Sequence, residues 1–294
     1  MKIIMLSSQE CENKNGNNGD CFVIDDGNQI VLYDCGCEEY AKWVVEYMDK
    51  NGYDKIKIVL SHNDDDHFKG IPYLVEQNRV SEITTVLLLK YVDELLDIID
   101  DGRKNRDSLK KQILEKYDNI SKLSGSNLQD AFTHIEITDK ITILGPSKEY
   151  ILNAAAKGLD TTEGDIIDGE TITNATSIHL GIENKDIKIL LTGDSNFESV
   201  NQERLSEYRV IQLPHHGKKK IAEEIFEKLE DVVEEVFLIS DNTGSSNGGS
   251  DDLDYKGYDV RNTKDSGTII INYDDVVMSR KRTGSLNEIH NSRN

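Results

Sequence analysis

The stretch Ser61-His62-Asn63-Asp64-Asp65-Asp66-His67 constrains this chain more than any other. It follows the apolar run Ile56-Lys57-Ile58-Val59-Leu60 and precedes Phe68-Lys69-Gly70-Ile71. Its ligand-type side chains therefore fall in a tight loop between the end of a strand and the start of a helix, where α/β sheets place their chemistry. Two imidazoles and three carboxylates packed this closely would repel one another unless cations sat among them. A pair of divalent metals accounts for the pattern. The competing reading is a solvated acidic loop with two chance histidines.

The rest of the chain narrows the classes open to it. A length of 294 residues is enough to bury a sizeable core, and the expected organisation is a single domain over 1–279 followed by a polar, disordered tail over 280–294. Lys plus Arg total 34 against 55 Asp plus Glu, a net charge of −21, which works against long-range attraction to nucleic acid or an anionic membrane. A phosphate-bearing substrate, DNA or RNA included, would have to be handled locally by metals. The opening Met1-Lys2-Ile3-Ile4-Met5-Leu6 is too short an apolar run for a signal peptide, and no later stretch approaches a membrane span. The expectation is a cytoplasmic protein with no membrane contact. Of the cysteines at 11, 21, 35 and 37, only Cys35 and Cys37 are close, without the paired spacing of a zinc knuckle. Reduced thiols are expected, with Cys35 beside Asp34 as a point of thiol sensitivity.

Periodicity supplies the elements. Ile3–Leu6, Cys21–Ile24 and Ile30–Tyr33 read as strands, the last two joined by Asp25-Asp26-Gly27-Asn28 as a hairpin turn, with a flexible loop over 13–19. Residues 39–51 read as an amphipathic helix stopped by Gly52, with Trp43 on its core face. Ile83–Leu89 is a β-branched strand, and 92–123 a charged helical pair that either packs on the outside or covers the substrate mouth and offers a contact for a protein partner. A hairpin is expected from His134–Ile137 and Ile141–Leu144, then a helix over 147–158, an acidic loop over 159–170, and a second hairpin from Ser177–Ile182 and Ile187–Leu191 that delivers Asp194. His179 alternates with Ile178 and Leu180 and is read as a surface or packing residue. A helix over 197–207, a strand into the double histidine at 215–216, a helix from Ile221 to about Val232, the strand Val236–Ser240, a mobile loop over 242–252 and the strand Thr268–Tyr273 complete the pattern.

These motifs, taken in order, resemble the metallo-β-lactamase superfamily. The first stretch is similar to its His-x-His-x-Asp-His signature, and Asp64 in place of the second histidine looks like the soluble hydrolase domain of ComEC-type DNA-uptake proteins and their free-standing relatives. Gly19-Asp20-Cys21 and Val31 to Gly36 resemble the opening turn and strand end; Asn174-Ala175-Thr176-Ser177, Leu190 to Asp194, and Leu213-Pro214-His215-His216-Gly217 resemble the later signatures. The resemblance spans residues 1 to about 275 and implies a four-layer αββα sandwich. One departure stands out: where the ComEC-like pattern carries Gly-His-Pro after the Ile-Ser strand, the chain reads Thr243 to Ser250 with no histidine.

The expected site is dinuclear. His62 and Asp64 hold one metal, Asp66 and His67 the other, Asp194 bridges them, and His215 or His216 completes the second, with His215 preferred. Such a pair, roughly 3.5–4 Å apart and sharing a hydroxide, lowers the pKa of water and screens a phosphate's charge. The spare His216 would donate a proton to the leaving oxygen, which with Asp66 makes the candidate catalytic set. Asn174, at the position where many relatives carry a histidine ligand, and Lys218, the first of Lys218-Lys219-Lys220, are candidate contacts to a substrate phosphate; a solvated helix start explains the lysines equally well. The oxygen-rich ligand set favours Mn²⁺ over Zn²⁺ without excluding either. The leading expectation is a metal-dependent phosphodiesterase or nuclease. The alternatives are an amide, ester or lactone hydrolase, or a partner-controlled binding module with a degraded metal site.

Overall fold

The computed structural model describes residues 1–7, 11, 19–99, 102, 104–123, 125–160, 164–200, 202–229, 235–241, 249–255 and 257–273. Most of the 13–19 loop, residues 242–248 of the expected mobile loop, and the tail fall outside these. In chain order the strands are β1 (Lys2–Met5), β2 (Phe22–Asp25), β3 (Ile30–Tyr33), β4 (Ile56–Val59), β5 (Val80–Thr85), β6 (Leu128–Asp130) and β7 (Ile141–Gly145). They continue as β8 (Ile166–Ile167), β9 (Glu170–Thr171), β10 (His179–Asn184), β11 (Ile187–Leu191), β12 (Val210–Gln212), β13 (Val236–Ile239), β14 (Asp259–Asn262) and β15 (Ile269–Asn272).

Two mixed sheets face each other. A seven-stranded sheet runs β15-β1-β2-β3-β4-β5-β6 and a six-stranded sheet runs β14-β13-β12-β11-β10-β7. Alternating strand residues meet between them: Phe22, Tyr33 and Val59 from the first pack with Leu180, Leu191 and Val210 from the second. The outer face of the first sheet is covered by helices Glu38–Asn51 and Ile71–Glu76 through Val44, Met48 and Leu74. The outer face of the second is covered by helix Lys219–Lys228 through Ile221, Ile225 and Phe226. This is the four-layer αββα sandwich. Helices Val92–Ile98, Arg106–Lys116 and Lys148–Leu159 form a further apolar cluster around Leu95, Leu109 and Leu152.

Local signals explain most boundaries. Gly52 ends the first helix in the left-handed conformation at φ 79°, and Asn105 opens helix Arg106–Lys116 with a reciprocal capping box. Several expectations need correcting. The strand expected at Ile83–Leu89 is Val80–Thr85, because Leu88 turns away in a 3₁₀ turn to join the helical cluster. The first arm of the 134–144 hairpin is reduced to a bridge between Glu136 and Thr142. The 197–207 helix is a 3₁₀ segment, Gln202–Glu207. The acidic loop contains the small β8–β9 hairpin, and Trp43 is only half-buried, stacked on Tyr47 at 5.3 Å.

The chain order β3-β4-β5-β6 and β11-β12-β13-β14 is parallel within each sheet, so the C-terminal ends of β3, β4, β11, β12 and β13 deliver the site loops. Buried hydrogen bonds tie the sheets together there. The Tyr33 hydroxyl donates to the Ile178 carbonyl at 2.7 Å, Ile178 N donates to Ser61 O at 2.9 Å, and Gln212 Nε2 donates to Asp20 Oδ2 at 2.5 Å.

Candidate metal centre

The loop after β4 turns into the short helix Asp65–Phe68 with Asp64 at its N-terminal boundary. It fits only because Gly19 lies against it: a Cβ at Gly19, whose φ is +60°, would stand 1.5 Å from the Asp66 carbonyl oxygen. From the second sheet come Asp194 after β11 and the turn Pro214–Gly217 after β12, in which His215 (φ 50°) and His216 (φ 56°) both adopt the left-handed conformation. That conformation costs a non-glycine residue of order 1–3 kcal/mol and is a mark of functional turns.

Three imidazoles are oriented in the same way. His67 Nδ1 donates to Asp34 Oδ2 at 2.8 Å, and His216 Nδ1 donates to the Ser240 carbonyl at 2.7 Å. His62 Nδ1 lies 2.9 Å from Ser61 Oγ and 3.1 Å from Ser177 Oγ. Ser61 Oγ itself donates to Asp34 Oδ2 at 2.6 Å, and Ser177 Oγ accepts from Asp194 N at 3.2 Å. Each ring thus presents Nε2 inward, the tautomer that metal-binding histidines adopt. The three Nε2 atoms and Asp194 Oδ1 are buried without a hydrogen-bond partner. Asp194 Oδ2 is 3.4 Å from His67 Nε2 and 3.6 Å from His216 Nε2, and Asp66 Oδ2 is 3.6 Å from His216 Nε2. Buried polar atoms without partners are costly, so this donor set fits divalent cations. His62, His67 and Asp194 converge as one group and Asp66, His67 and His216 as another. Asp64 Oδ2 stands 3.8 Å from His62 Nε2 at the exposed rim.

The electrostatics agree. Burial pushes the His62 imidazole down to about 4, and the neighbouring His67 adds to that, leaving His62 neutral and able to ligate. Burial opposes charge on His67 and His216 too, but the Asp194 carboxylate beside both overcomes it and raises them well above the usual imidazole range. Asp194 is held well below the carboxylate range because His216, His67 and His215 outweigh its burial. Burial lifts Asp64 to about 6, and Asp66 and Asp194 contribute.

The remaining candidates lie beside this cluster. His215 Nδ1 is 2.9 Å from Glu170 Oε2 and its Nε2 is 3.8 Å from Asp194 Oδ2. Lys218 donates to Glu170 Oε1 and, at 3.2 Å, to the Gly169 carbonyl, so its charge is already paired. Asn174 is buried, with Nδ2 3.5 Å from Glu170 Oε2 and Oδ1 without a partner. Glu170 joins all three, is buried, and is kept ionised by His215 and Lys218 against the cost of burial. Sequence reasoning passed over it as part of an acidic loop; the Asp168-Gly169 turn between two short strands was the available signal. Asp34 and Asp20 were seen only as motif residues, yet one orients His67 and the other lies 3.5 Å from His216 Nδ1.

The chain belongs to the metallo-beta-lactamase superfamily, a group of metallo-hydrolases, whose sequence pattern matches residues 15–240. It is similar in structure to Igni18, a novel metallo hydrolase from the hyperthermophilic archaeon Ignicoccus hospitalis, at 13% identity over 93% of this chain and 100% of that one, with a TM-score of 0.47. It is also similar to the short form of human tRNase Z, at 11% identity over 92% and 99% of the two chains with a TM-score of 0.42. A third is the metallo-beta-lactamase fold protein YhfI from Bacillus subtilis, at 12% identity over 72% and 70%, with a TM-score of 0.40. The search of curated proteins finds no match. Among the described residues no helix is long and apolar enough to cross a membrane.

Proposed function

We propose that the protein is a metal-dependent phosphodiesterase whose donor set follows the ComEC-type pattern, with His62, Asp64 and Asp194 for one cation and Asp66, His67, His216 and Asp194 for the other. The observation that carries this reading is the pairing of His215 with the buried Glu170, 2.9 Å apart, beside a carboxylate-rich cluster of bare imidazole nitrogens. Divalent cations held there supply a nucleophile at neutral pH and spread the charge of phosphoryl oxygens. The carboxylate share of the donor set favours Mn²⁺ over Zn²⁺.

The two histidines then exchange the roles expected from sequence. His216, whose Nε2 lies 3.6 Å from both Asp66 and Asp194, takes the ligand position. His215, with Nδ1 2.9 Å from the Glu170 carboxylate, keeps Nε2 for a proton to the leaving oxygen. Lys218 serves by fixing Glu170 rather than by gripping substrate. Asn174 Oδ1, buried without a partner, remains as an acceptor toward the site.

The test is hydrolysis of bis-p-nitrophenyl phosphate and of single- and double-stranded DNA and RNA by protein carrying Mn²⁺ or Zn²⁺, with nitrocefin and a lactone alongside. Turnover of at least one phosphodiester is expected. Metal-loaded protein that cleaves none of them, or that cleaves only the carbonyl substrates, refutes the proposal.

A further inference from the structure

The cysteines, whose spacing in the chain suggests no pairing, gather in one place. Cys11, Cys21, Cys35 and Cys37 stand as buried thiols in the apolar cluster between the seven-stranded sheet and helix Glu38–Asn51. Cys37 sits at the N-terminal boundary of that helix, and its Sγ lies 3.0 Å from Cys11 Sγ. The other two are engaged elsewhere. Cys35 Sγ donates to the Cys37 carbonyl at 3.7 Å and faces Gly70, and the thiol that acts most on Cys21 is that of Cys35.

The spacing of the first pair decides what it can become. Two thiolates on a tetrahedral Zn²⁺, with Zn–S bonds of about 2.3 Å, stand roughly 3.8 Å apart, whereas a disulfide needs about 2.05 Å. At 3.0 Å the sulfurs are already inside the first spacing, and a shift of about 1 Å joins them. Glu39 offers a third donor within 4.8 Å of both, yet the short distance between the sulfurs favours the bond over an ion.

The pair borders the backbone that seats the imidazole cluster. Cys35 N donates to His67 O at 2.9 Å and Gly70 N donates to Cys35 O at 2.8 Å. A Cβ on Gly70 would stand 2.3 Å from the Cys37 carbonyl oxygen. Residues 35–37 and 67–70 are therefore fitted closely together, next to the Asp34 carboxylate that accepts from His67 Nδ1.

We propose that Cys11 and Cys37 are a redox modification site, forming a reversible intramolecular disulfide that staples the N-terminal segment to the loop on which the His67 backbone rests. The oxidant is hydrogen peroxide. One thiolate attacks a peroxide oxygen and breaks the O–O bond, giving a sulfenic acid and hydroxide; the second thiolate attacks that sulfur and expels another hydroxide as the S–S bond forms. Two electrons pass from the sulfurs to the peroxide, and the two thiol protons end in two molecules of water. The Cys11 thiol and burial push the Cys37 thiol up, so thiolate is scarce at neutral pH and the reaction is slow there.

The test treats the reduced, metal-free chain with a small excess of hydrogen peroxide at about pH 8.5, where more thiolate is present. Titratable thiols should fall from four to two, and the intact mass by about 2 Da. Trypsin should release residues 3–14 linked to residues 15–42, and dithiothreitol should separate them. The link should survive Cys21→Ser and Cys35→Ser and be lost in Cys37→Ser. Fragmentation of the linked peptide between Cys35 and Cys37 decides the pairing on the unaltered chain, whatever the serine variants do. Closing the loop should raise the midpoint of thermal unfolding by roughly 5–10 °C, reversibly with dithiothreitol. Four thiols persisting, a link to Cys21 or Cys35 instead, or a covalent dimer overturns the proposal. An unchanged midpoint once the link has formed overturns the staple.

Discussion

Glu170→Gln is the most informative single change, because it removes one charge while keeping the shape of a buried side chain (3% exposed). The carboxylate lies 2.9 Å from His215 Nδ1, an ion-pair distance at which its charge acts on the ring. Under the proposed role, that contact positions the ring beside the leaving group. A positioned proton donor contributes roughly 10²–10⁴ in rate, so loss of its orienting charge should slow a poor leaving group by about 10–100-fold, equivalent to about 1.4–2.8 kcal/mol. A p-nitrophenolate leaving group needs little protonation and should be affected far less. The assay is a leaving-group series at saturating metal, with metal content measured on the same samples. Lys218 retains its bond to the Gly169 carbonyl, and far-ultraviolet circular dichroism should be unchanged. Equal slowing of good and poor leaving groups would refute the proton-donor role. Loss of metal on Glu170→Gln or His215→Asn, with metal kept by His216→Asn, would refute the exchange of roles.

Asp194→Asn should abolish stoichiometric metal binding by mass spectrometry of the native protein while leaving the circular dichroism spectrum intact, because the sandwich core at Leu180, Leu191 and Val210 is untouched. Metal uptake near neutral pH should release protons, since Asp194 raises His67 and His216 well above the usual range and a cation must displace what they carry; calorimetry in buffers of differing ionisation enthalpy measures it, and uptake without proton release contradicts the charge balance described. His179 is buried, and burial alone pushes its imidazole down to about 3. The unfolded chain then protonates first, so stability is complete above about pH 6.5 and falls by at most about 1.4 kcal/mol per unit below it. Urea titrations at two pH values should show His179→Gln losing that slope.

The sequence made legible what depends on short windows. The run from His62 to His67 carries four of the proposed site residues, and the strand-end motifs at Asp34, Asp194 and His215–His216 announce themselves because a strand must stop there. The individual strands and helices follow from periodicity, whereas the order of the strands in the two sheets was not legible. What stayed hidden depends on pairs far apart in sequence. Glu170 reaches His215 only because the β8–β9 hairpin reverses the chain beside the Pro214–Gly217 turn. Which of two adjacent histidines faces Asp66 is set by two left-handed residues in succession, and no alternation rule anticipates that backbone. Lys218 looked free because its partner lies 48 positions earlier.

The buried bonds from Tyr33 to Ile178, from Ile178 to Ser61 and from Gln212 to Asp20 have a mechanical consequence. His62, Asp64, Asp66 and His67 ride on one sheet, Asp194, His215 and His216 on the other, so the gap across the proposed site is the spacing of the sandwich leaves at that edge. The centre behaves as a calliper. A substitution in the inter-sheet core, such as Val59→Ala, relaxes the jaws without touching a ligand, whereas the same loss on the outer face at Val44 leaves them as they were.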